Sequence, residues 1–172
     1  MIRFDEATDA FDAAKARSGE RGKLDIVFPD DAPQEAIVLN LPEALVVSPD
    51  DEIRRKLTEI LCHCGFASIL ASTVAESKRA LAQHDVCLVL CVERLAEGNY
   101  QAVVEFVKKF DSNVPVIVVS RTGDWPDYLR AICAGVFDYL AYPPIPGELR
   151  RGIRNAFLQR QRQKNTEKVE FL

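Results

Sequence analysis

The longest uninterrupted apolar run of the main domain lies in the segment DVCLVLCV over residues 85–92, which continues as ERLAEG over residues 93–98. The apolar run does not alternate with polar positions, which is typical of a strand covered on both faces in the middle of a parallel sheet. It ends abruptly in a polar loop that contains Gly98. Ligand chemistry in open α/β sheets collects at the carboxyl ends of the strands. Val92 therefore lies where a reactive group is expected, yet its side chain is aliphatic.

The composition is that of a globular protein long enough to bury a core, with 172 residues of which 48% are hydrophobic and 28% charged. No apolar run reaches the ~20 residues needed to cross a bilayer. The first residues, MIRFDE, lack the apolar segment of a secretory signal, which favours a cytoplasmic protein without a membrane partner. The formal net charge of −4 argues against a bulk nucleic-acid binder.

The chain has five cysteines, and three of them, Cys87, Cys91 and Cys133, lie inside apolar segments. An odd number of cysteines in such positions favours buried free thiols in a reducing compartment over a disulfide framework. The segment Cys62-His63-Cys64 suggests a metal site at first sight. Ligands two apart on a helix point to different sides, however, and no second Cys/His pair follows at finger-like spacing. The sequence thus predicts no metal site and no cofactor.

Residues 1–41 differ in pattern from the rest of the chain. Apolar residues near helical spacing precede Gly19, and two short alternating runs follow at residues 24–28 and 37–41. This pattern predicts a helix and a β-hairpin or a pair of edge strands, while a mostly disordered acidic arm is the alternative. We expect an N-terminal extension over 1–41, a main domain over 42–160 and a basic C-terminal tail over 161–172.

From Ala44 onward the chain alternates predicted strands with predicted helices. Ser48 or Asp50 is placed to cap the first helix, and the helix over 100–110 is expected to bury Val103, Val104, Val107 and Phe110. Five strands that alternate with five helices predict a parallel α/β sheet with right-handed crossovers. The strands are expected at residues 44–47, 66–71, 85–92, 114–119 and 136–141.

Several separate motifs carry a family resemblance. LVVSPDDEIR (45–54) is a strand that ends before acidic residues and a helix, VERLAEG (92–98) is a strand-to-loop segment, and residues 116–120 form a strand that ends in Ser120. AGVFDYL (134–140) is followed by Tyr142-Pro143. Together these segments resemble the receiver domain of bacterial response regulators, over residues 44–160. The resemblance implies a flavodoxin-like (βα)5 fold with strand order 2-1-3-4-5, a cis-proline loop, and a role in two-component signal transduction or phosphorelay.

The resemblance also shows what is missing from the phosphorylation pocket. A working receiver holds Mg²⁺ with two carboxylates after its first strand, but Ser48 and Pro49 occupy those positions and Asp50 comes one place later. The acceptor position holds Val92, which cannot form an acyl phosphate. Tyr142 stands in place of the conserved lysine of the family.

Two further residues of the predicted pocket are Ser120 and Glu93. Ser120 retains the hydroxyl that meets phosphoryl oxygens in receivers. If the loop is read one residue later, Glu93 occupies the acceptor position as a fixed carboxylate that resembles the phosphorylated state. The spacing to Leu95 and Gly98 favours Val92 at that position. Neither alternative restores a magnesium site.

Two surfaces are candidates for partner binding. Trp125, the single tryptophan, lies with Tyr128 and Tyr139 on the elements that receivers use for partner contacts, so these residues and the last helix form a predicted interaction surface. Alternatively, Trp125 folds back onto its own helix. The C-terminal segment is basic, either as a solvated face or as a docking surface for an acidic partner, such as the N-terminal arm of a second copy.

The sequence therefore predicts a non-enzymatic pseudo-receiver that acts as a phosphorylation-independent protein-interaction module. Its partner would be a signalling protein, or a second copy bound through the last helices or the N-terminal arm. The alternative is a small-molecule or redox sensor that uses the vacated pocket, with Cys87 or Cys91 nearby and Tyr142 as a lid. A third hypothesis is an atypical receiver phosphorylated on Asp50 or Glu93.

Overall fold

The computed structural model describes the backbone of residues 41–170 and the side chains of residues 41–166. The helix and hairpin predicted for the N-terminal extension lie outside the described residues. The described residues comprise the main domain and the helix that ends it.

Five strands form one parallel sheet, as the alternating pattern predicts. They are β1 (Glu43–Val47), β2 (Ala67–Ala71), β3 (Val86–Val92), β4 (Val116–Ser120) and β5 (Asp138–Ala141). Their lateral order is β2-β1-β3-β4-β5, which confirms the order 2-1-3-4-5 implied by the resemblance. Val47 pairs with Ala71 on one side and Cys91 on the other, and Val92 pairs with Val119. The carboxyl ends of β1, β3 and β4 therefore end level with one another.

Five helices connect and follow the strands. They are α1 (Asp51–His63), α2 (Val74–Gln83), α3 (Tyr100–Phe110), α4 (Trp125–Cys133) and α5 (Pro146–Glu170). Contacts between α1 and α5, and between α2 and α3, place these pairs on opposite faces of the sheet, as right-handed crossovers require. Residues 161–170 continue α5, so the predicted basic tail is helical through Glu170.

The local sequence explains how the elements begin and end. Every residue of β3 is buried, as expected for a central strand covered on both faces. Asp50 caps α1 by accepting the backbone N–H groups of Glu52 and Ile53. The helix buries the stripe Ile53, Leu57, Leu61, and the chain leaves it through Gly65 at φ +80°, a conformation that favours glycine.

Three details differ from the sequence-based expectations. Phe110 is 53% exposed rather than buried, because it ends α3 beyond the core and stacks on Phe106. Residues Arg94–Leu95 pair with Gly98–Asn99 in a short antiparallel ladder that the pattern did not indicate. β4 begins after Pro115, which lacks an N–H group but still accepts a hydrogen bond from Val89 through its carbonyl.

Candidate functional site

A cavity of about 310 Å³ opens at the carboxyl ends of β1, β3 and β4. The structure brings the predicted pocket residues together there, although they come from four separate segments of the chain. Six of the seven line the cavity: Ser48, Pro49, Asp50, Val92, Glu93 and Tyr142. Ser120, the seventh, ends β4 and contacts the cavity through its hydrogen bond to Glu93. Further lining comes from residues that the sequence did not single out, namely Ile53, Arg94, Val119, Arg121 and Thr122.

Val92 is the last residue of β3 and contributes an aliphatic wall to the cavity. Its side chain is buried, with 8% of its surface exposed, and its neighbour in the sheet is Val119. Two valines therefore lie side by side at the strand ends where a receiver needs a carboxylate nucleophile. Neither side chain can accept a phosphoryl group.

The Glu93 carboxylate fills the polar part of the pocket. The Glu93 backbone N–H donates to the Val119 carbonyl at 3.0 Å, which fixes the start of the loop. The Ser120 hydroxyl donates to the Glu93 carboxylate, and the Thr122 hydroxyl donates to the same carboxylate oxygen at 3.4 Å. The Ser120 oxygen in turn accepts the Thr122 backbone N–H at 3.2 Å. The hydroxyl that the resemblance assigns to phosphoryl oxygens is thus bound to a side chain of the protein itself.

The segment after β1 uses its polar groups to start α1. Ser48 is buried, and its hydroxyl oxygen accepts the Asp50 backbone N–H at 3.2 Å. The Asp50 carboxylate accepts the backbone N–H groups of Ile53 and Glu52 and forms an ion pair with Arg121 at 2.8 Å. The Ile53 hydrogen bond is the main cause of the lowered pKa of Asp50. Desolvation opposes it, and the Glu52 hydrogen bond and the Arg121 charge lower the pKa further. Its carboxylate is therefore held as a helix cap and an ion-pair partner.

Tyr142, which the resemblance places at the position of the family's lysine, lines the cavity. Its backbone N–H donates to the Ser120 carbonyl at 2.7 Å, and the Tyr142–Pro143 peptide bond is cis, as the resemblance implies. The Lys56 ammonium lies 5.9 Å from the centre of the Tyr142 ring. The hydrogen bond with Glu52 is the main cause of the raised pKa of Lys56. The Tyr142 side chain is thus a phenol, and the Lys56 ammonium near it is paired with Glu52.

The donor set of the pocket does not fit magnesium, the ion that the family's fold implies. Mg²⁺ prefers carboxylate oxygens in near-octahedral geometry. The cavity offers only Asp50 and Glu93, and both carboxylates already accept hydrogen bonds from the protein. Within the described residues no group of three or more His, Cys, Asp or Glu side chains is placed to hold a metal ion.

The cysteines of the central strand do not line the cavity. Cys87 lies at the amino end of β3, where its thiol donates to the Glu43 carbonyl at 3.0 Å, and Cys91 is fully buried. Burial raises the pKa of Cys87 to about 11 and also raises that of Cys91. Cys133, expected to be buried, is exposed because it ends α4 away from the sheet. The redox hypothesis therefore lacks a thiolate at the pocket.

Three aromatic residues form a connected cluster between α4 and β5. Trp125 stacks on Tyr128 with ring centres 5.3 Å apart, and Tyr128 packs edge-on against Tyr139 at 6.4 Å. Trp125 folds back onto its own helix and still remains 69% exposed, so both sequence-based alternatives describe part of its environment. The assignment of Tyr139 to the interaction surface is wrong: it is 6% exposed because its strand position faces α4. Burial raises its pKa.

The exposed face of α4 contains two apolar residues that the sequence reasoning missed. Leu129 and Ile132 are 46% and 37% exposed and follow Trp125 at i+4 and i+7. This spacing places all three on one side of the helix. The helical periodicity could have indicated them, but it could not show whether the stripe faced the core or solvent.

Among the residues that the structure describes, no helix combines the length and the apolar character that a membrane span requires.

Comparison with known proteins adds sequence and fold relatives, although no family model matches the chain. Response regulator protein PilR of Pseudomonas aeruginosa is 28% identical over 114 residues, which is 66% of this chain and 26% of PilR. Transcriptional regulatory protein GlrR of Escherichia coli is 29% identical over 115 residues, which is 67% of this chain and 26% of GlrR. The probable transcriptional regulator ycf27 of Cyanophora paradoxa is 30% identical over 121 residues, which is 68% of this chain and 48% of ycf27. The matched part spans about a quarter of the first two relatives.

Solved structures show the same fold. A response regulator receiver domain protein from Clostridium thermocellum has a TM-score of 0.65 at 22% identity, with 70% of this chain and 98% of that one covered. The beryllofluoride-activated NtrC4 receiver domain dimer has a TM-score of 0.65 at 22% identity, with 69% of this chain and 98% of that one covered. The described part of the chain is thus similar in sequence to the matched segments of these response regulators, and it has the fold of solved receiver domains.

Proposed function

We propose that this receiver domain is a phosphorylation-independent pseudo-receiver, a protein-interaction module in two-component-type signal transduction. The observation that carries the proposal is the arrangement at the end of β3. Val92 takes the acceptor position, and the neighbouring Glu93 carboxylate accepts the Ser120 hydroxyl. In this proposal the Glu93 carboxylate takes the position in the pocket that a phosphoryl group takes in a phosphorylated receiver.

Electrostatics supports this proposal. A phosphoryl group brings about −1.5 to −2 charges that a metal or a cation must offset. The Glu93 carboxylate would repel it, and Arg121, one of the two arginines that line the cavity, is already paired with Asp50. Hydrogen bonds to a charged group contribute roughly 1.5–3 kcal/mol, so the bond between Ser120 and Glu93 favours one arrangement of the pocket. We therefore expect that a phosphate donor does not phosphorylate this domain.

The exposed stripe on α4 is the proposed interaction surface. Trp125, Leu129 and Ile132 present an apolar face on a helix that buries only Ala131. Aromatic anchors beside aliphatic residues are typical of binding hot spots. The partner is a signalling protein or a second copy; one solved neighbour is described as a receiver domain dimer. The absence of a nucleic-acid partner stays a prediction.

Incubation with acetyl phosphate and Mg²⁺, followed by intact-mass measurement, tests the phosphorylation part. We expect no phosphorylated species, while a receiver domain that retains its acceptor aspartate, treated in parallel, becomes phosphorylated. A stoichiometric phosphoryl adduct mapped to Asp50 or Glu93 would overturn the proposal and support the atypical-receiver hypothesis.

Sedimentation velocity tests the α4 surface with a second copy as the partner. We expect the unmodified protein to self-associate and the double variant Trp125→Ala/Leu129→Ala to sediment as a monomer. Phe110→Ala is the matched control, because Phe110 is also exposed but lies on α3. If the control dissociates to the same extent as the double variant, α4 is not the interface.

A further inference from the structure

A second surface lies on the other side of the sheet, beside α5. We define the basic groove as the concavity of about 700 Å³ between the C-terminal end of α1, the start of β2 and the first turns of α5. It is lined by Pro42, Cys64, Gly65, Phe66, Gly147, Arg150, Arg151, Ile153, Arg154 and Phe157. The α4 stripe and the phosphorylation pocket contribute no residue to it.

The floor of the basic groove is apolar. Phe66 and Phe157 pack edge to face with ring centres 5.2 Å apart, and Ile153 is fully buried beneath them. Phe157 and Cys64 are only partly buried, so apolar surface remains open at the bottom of the groove. Burial of that apolar surface by a ligand removes it from water, which favours binding.

The rim of the groove is positively charged, with three arginines from α5. Arg150, Arg151 and Arg154 are exposed, and among the described residues none of them pairs with a carboxylate. Arg160 on the same helix behaves differently, since it is 3% exposed and contacts Asp111 and Asp85. Among the residues that the structure describes, no acidic side chain lines the groove. The exposed guanidinium groups of the rim can therefore pair with a ligand, whereas that of Arg160 is buried and already paired.

We propose that the basic groove binds an acidic amphipathic segment of a partner protein. Carboxylates of the segment pair with the rim arginines, and its apolar side chains enter over Phe66 and Phe157. Arg150 and Arg154 are one helical turn apart, so they lie on the same side of α5 at a separation of roughly 6 Å. Acidic residues two apart on an extended strand have nearly the same spacing, since a strand rises about 3.3 Å per residue.

The apolar floor favours a peptide over nucleic acid. Proteins that bind single strands stack bases on exposed aromatic rings along a basic track. Here the two rings pack against each other at the bottom of the groove, and the charge is confined to one rim. The proposal does not depend on the state of the phosphorylation pocket, so either one can fail without the other.

Fluorescence anisotropy on the full-length protein tests the proposal. The probe is a fluorescein-labelled peptide of alternating glutamate and leucine, and a peptide of alternating glutamate and serine is the charge-matched control. We expect saturable binding of the first peptide, at least tenfold weaker binding of the second, and a loss of about tenfold or more in affinity in Arg150→Glu/Arg154→Glu. Arg162→Glu is the control variant, because Arg162 is an exposed arginine of α5 outside the groove.

Three results would overturn the proposal. The first is the absence of saturable binding by the glutamate–leucine peptide. The second is an equal loss in the Arg162→Glu variant, which would show unspecific charge attraction. The third is tighter binding of a single-stranded oligonucleotide of similar charge than of the peptide. Circular dichroism melting of each variant ensures that affinities are compared between folded proteins.

Discussion

The two ends of β3 use charge in opposite ways. At the amino end, Arg160 from α5 lies 3.2 Å from Asp111 and 3.6 Å from Asp85, and it is almost completely buried. At the carboxyl end, Val92 presents no charge, and the Glu93 carboxylate is bound to Ser120. At the amino end the charged Arg160 side chain links α5 to the acidic residues beside β3. At the carboxyl end the charged Glu93 side chain accepts a hydrogen bond inside the pocket.

This difference shows that the fold and the phosphorylation chemistry depend on separate residues. The sheet needs apolar strands, caps and the contacts of α5, all of which are present. A phosphorylation pocket needs an acceptor and two metal-binding carboxylates, and we propose that the positions for them hold Val92, Ser48 and Pro49. Substitutions at the two ends of β3 should therefore affect different properties.

The largest effect on stability is expected at the amino end. Arg160→Ala leaves Asp111 without its cation and opens a void beneath α5, so we expect a loss of about 3 kcal/mol in the free energy of unfolding. The value lies at the lower end for buried pairs, because Asp85 is 84% exposed and because Nε and Nη1 of Arg160 have no hydrogen-bond partner in the described residues. Urea unfolding followed by circular dichroism measures it.

Arg162→Ala is the matched control for that variant, since Arg162 is exposed on the same helix. Its unfolding free energy should change by no more than about 0.5 kcal/mol. Equal losses in the two variants would show that Arg160 adds nothing beyond helix propensity.

Val92→Asp tests the carboxyl end and should cost about 2 kcal/mol, because it buries a carboxylate beside Glu93. We expect this variant to remain unphosphorylated by acetyl phosphate and Mg²⁺, since the metal-binding carboxylates and the lysine are still missing. The combined variant Ser48→Asp/Pro49→Asp/Val92→Asp/Tyr142→Lys should acquire phosphorylation at residue 92. Phosphorylation of the single variant would show that the rest of the pocket is intact.

Glu93→Ala removes the partner of the Ser120 hydroxyl. We expect the unfolding free energy to fall by about 1.5 kcal/mol, because a hydrogen bond to a charged group is lost from a partly buried site. Glu97→Ala, an exposed substitution in the same loop, should stay within about 0.5 kcal/mol of the unmodified protein. If Glu97→Ala has the same effect as Glu93→Ala, the internal carboxylate is not a stabilising element of the pocket.

The smallest effect is expected from the Cys87 thiol through its pH dependence. Its pKa is about 11 in the folded protein against 9.0 for an unperturbed thiol, because burial disfavours the thiolate. The unfolded chain therefore loses this proton first, and the stabilising contribution that is complete below pH 9 declines as the pH rises towards 11. Cys87→Ser should reduce this decline in urea titrations between pH 8 and about 10.5, a window set by that shift. An unchanged pH dependence would contradict the assignment.

Thiol reagents give a second readout of the same burial. Cys62 and Cys133 are exposed and should react quickly in the folded protein, while Cys87 and Cys91 should react only after unfolding. Fast labelling of either strand cysteine would revive the redox hypothesis.

The sequence predicts the sheet and the members of the pocket well, for a clear physical reason. Buried parallel strands produce long apolar runs such as residues 86–92, and strand ends meet at one edge once the order is known. The register of Val92, Ser48 and Ser120 follows from these runs. The cap at Asp50 also follows from local sequence, since a cap needs only neighbouring backbone groups.

Contacts between distant side chains could not be predicted in this way. The ion pair of Arg121 with Asp50 joins residues far apart in sequence, and the hydrogen bond between Ser120 and Glu93 depends on rotamers. The burial of Tyr139 and the exposure of Phe110 depend on how α3 and α4 lie on the sheet. The unpaired arginines of the basic groove could be distinguished from Arg160 only after α5 was placed.

Fluorine NMR of beryllofluoride in the presence of Mg²⁺ is a direct test of whether the pocket can be phosphorylated, because this phosphoryl mimic requires both a carboxylate acceptor and a metal-binding site. With the unmodified protein we expect only the resonances of free fluoride species. A distinct, saturable resonance of protein-bound beryllofluoride that depends on Mg²⁺ would show a working phosphorylation pocket and contradict the account.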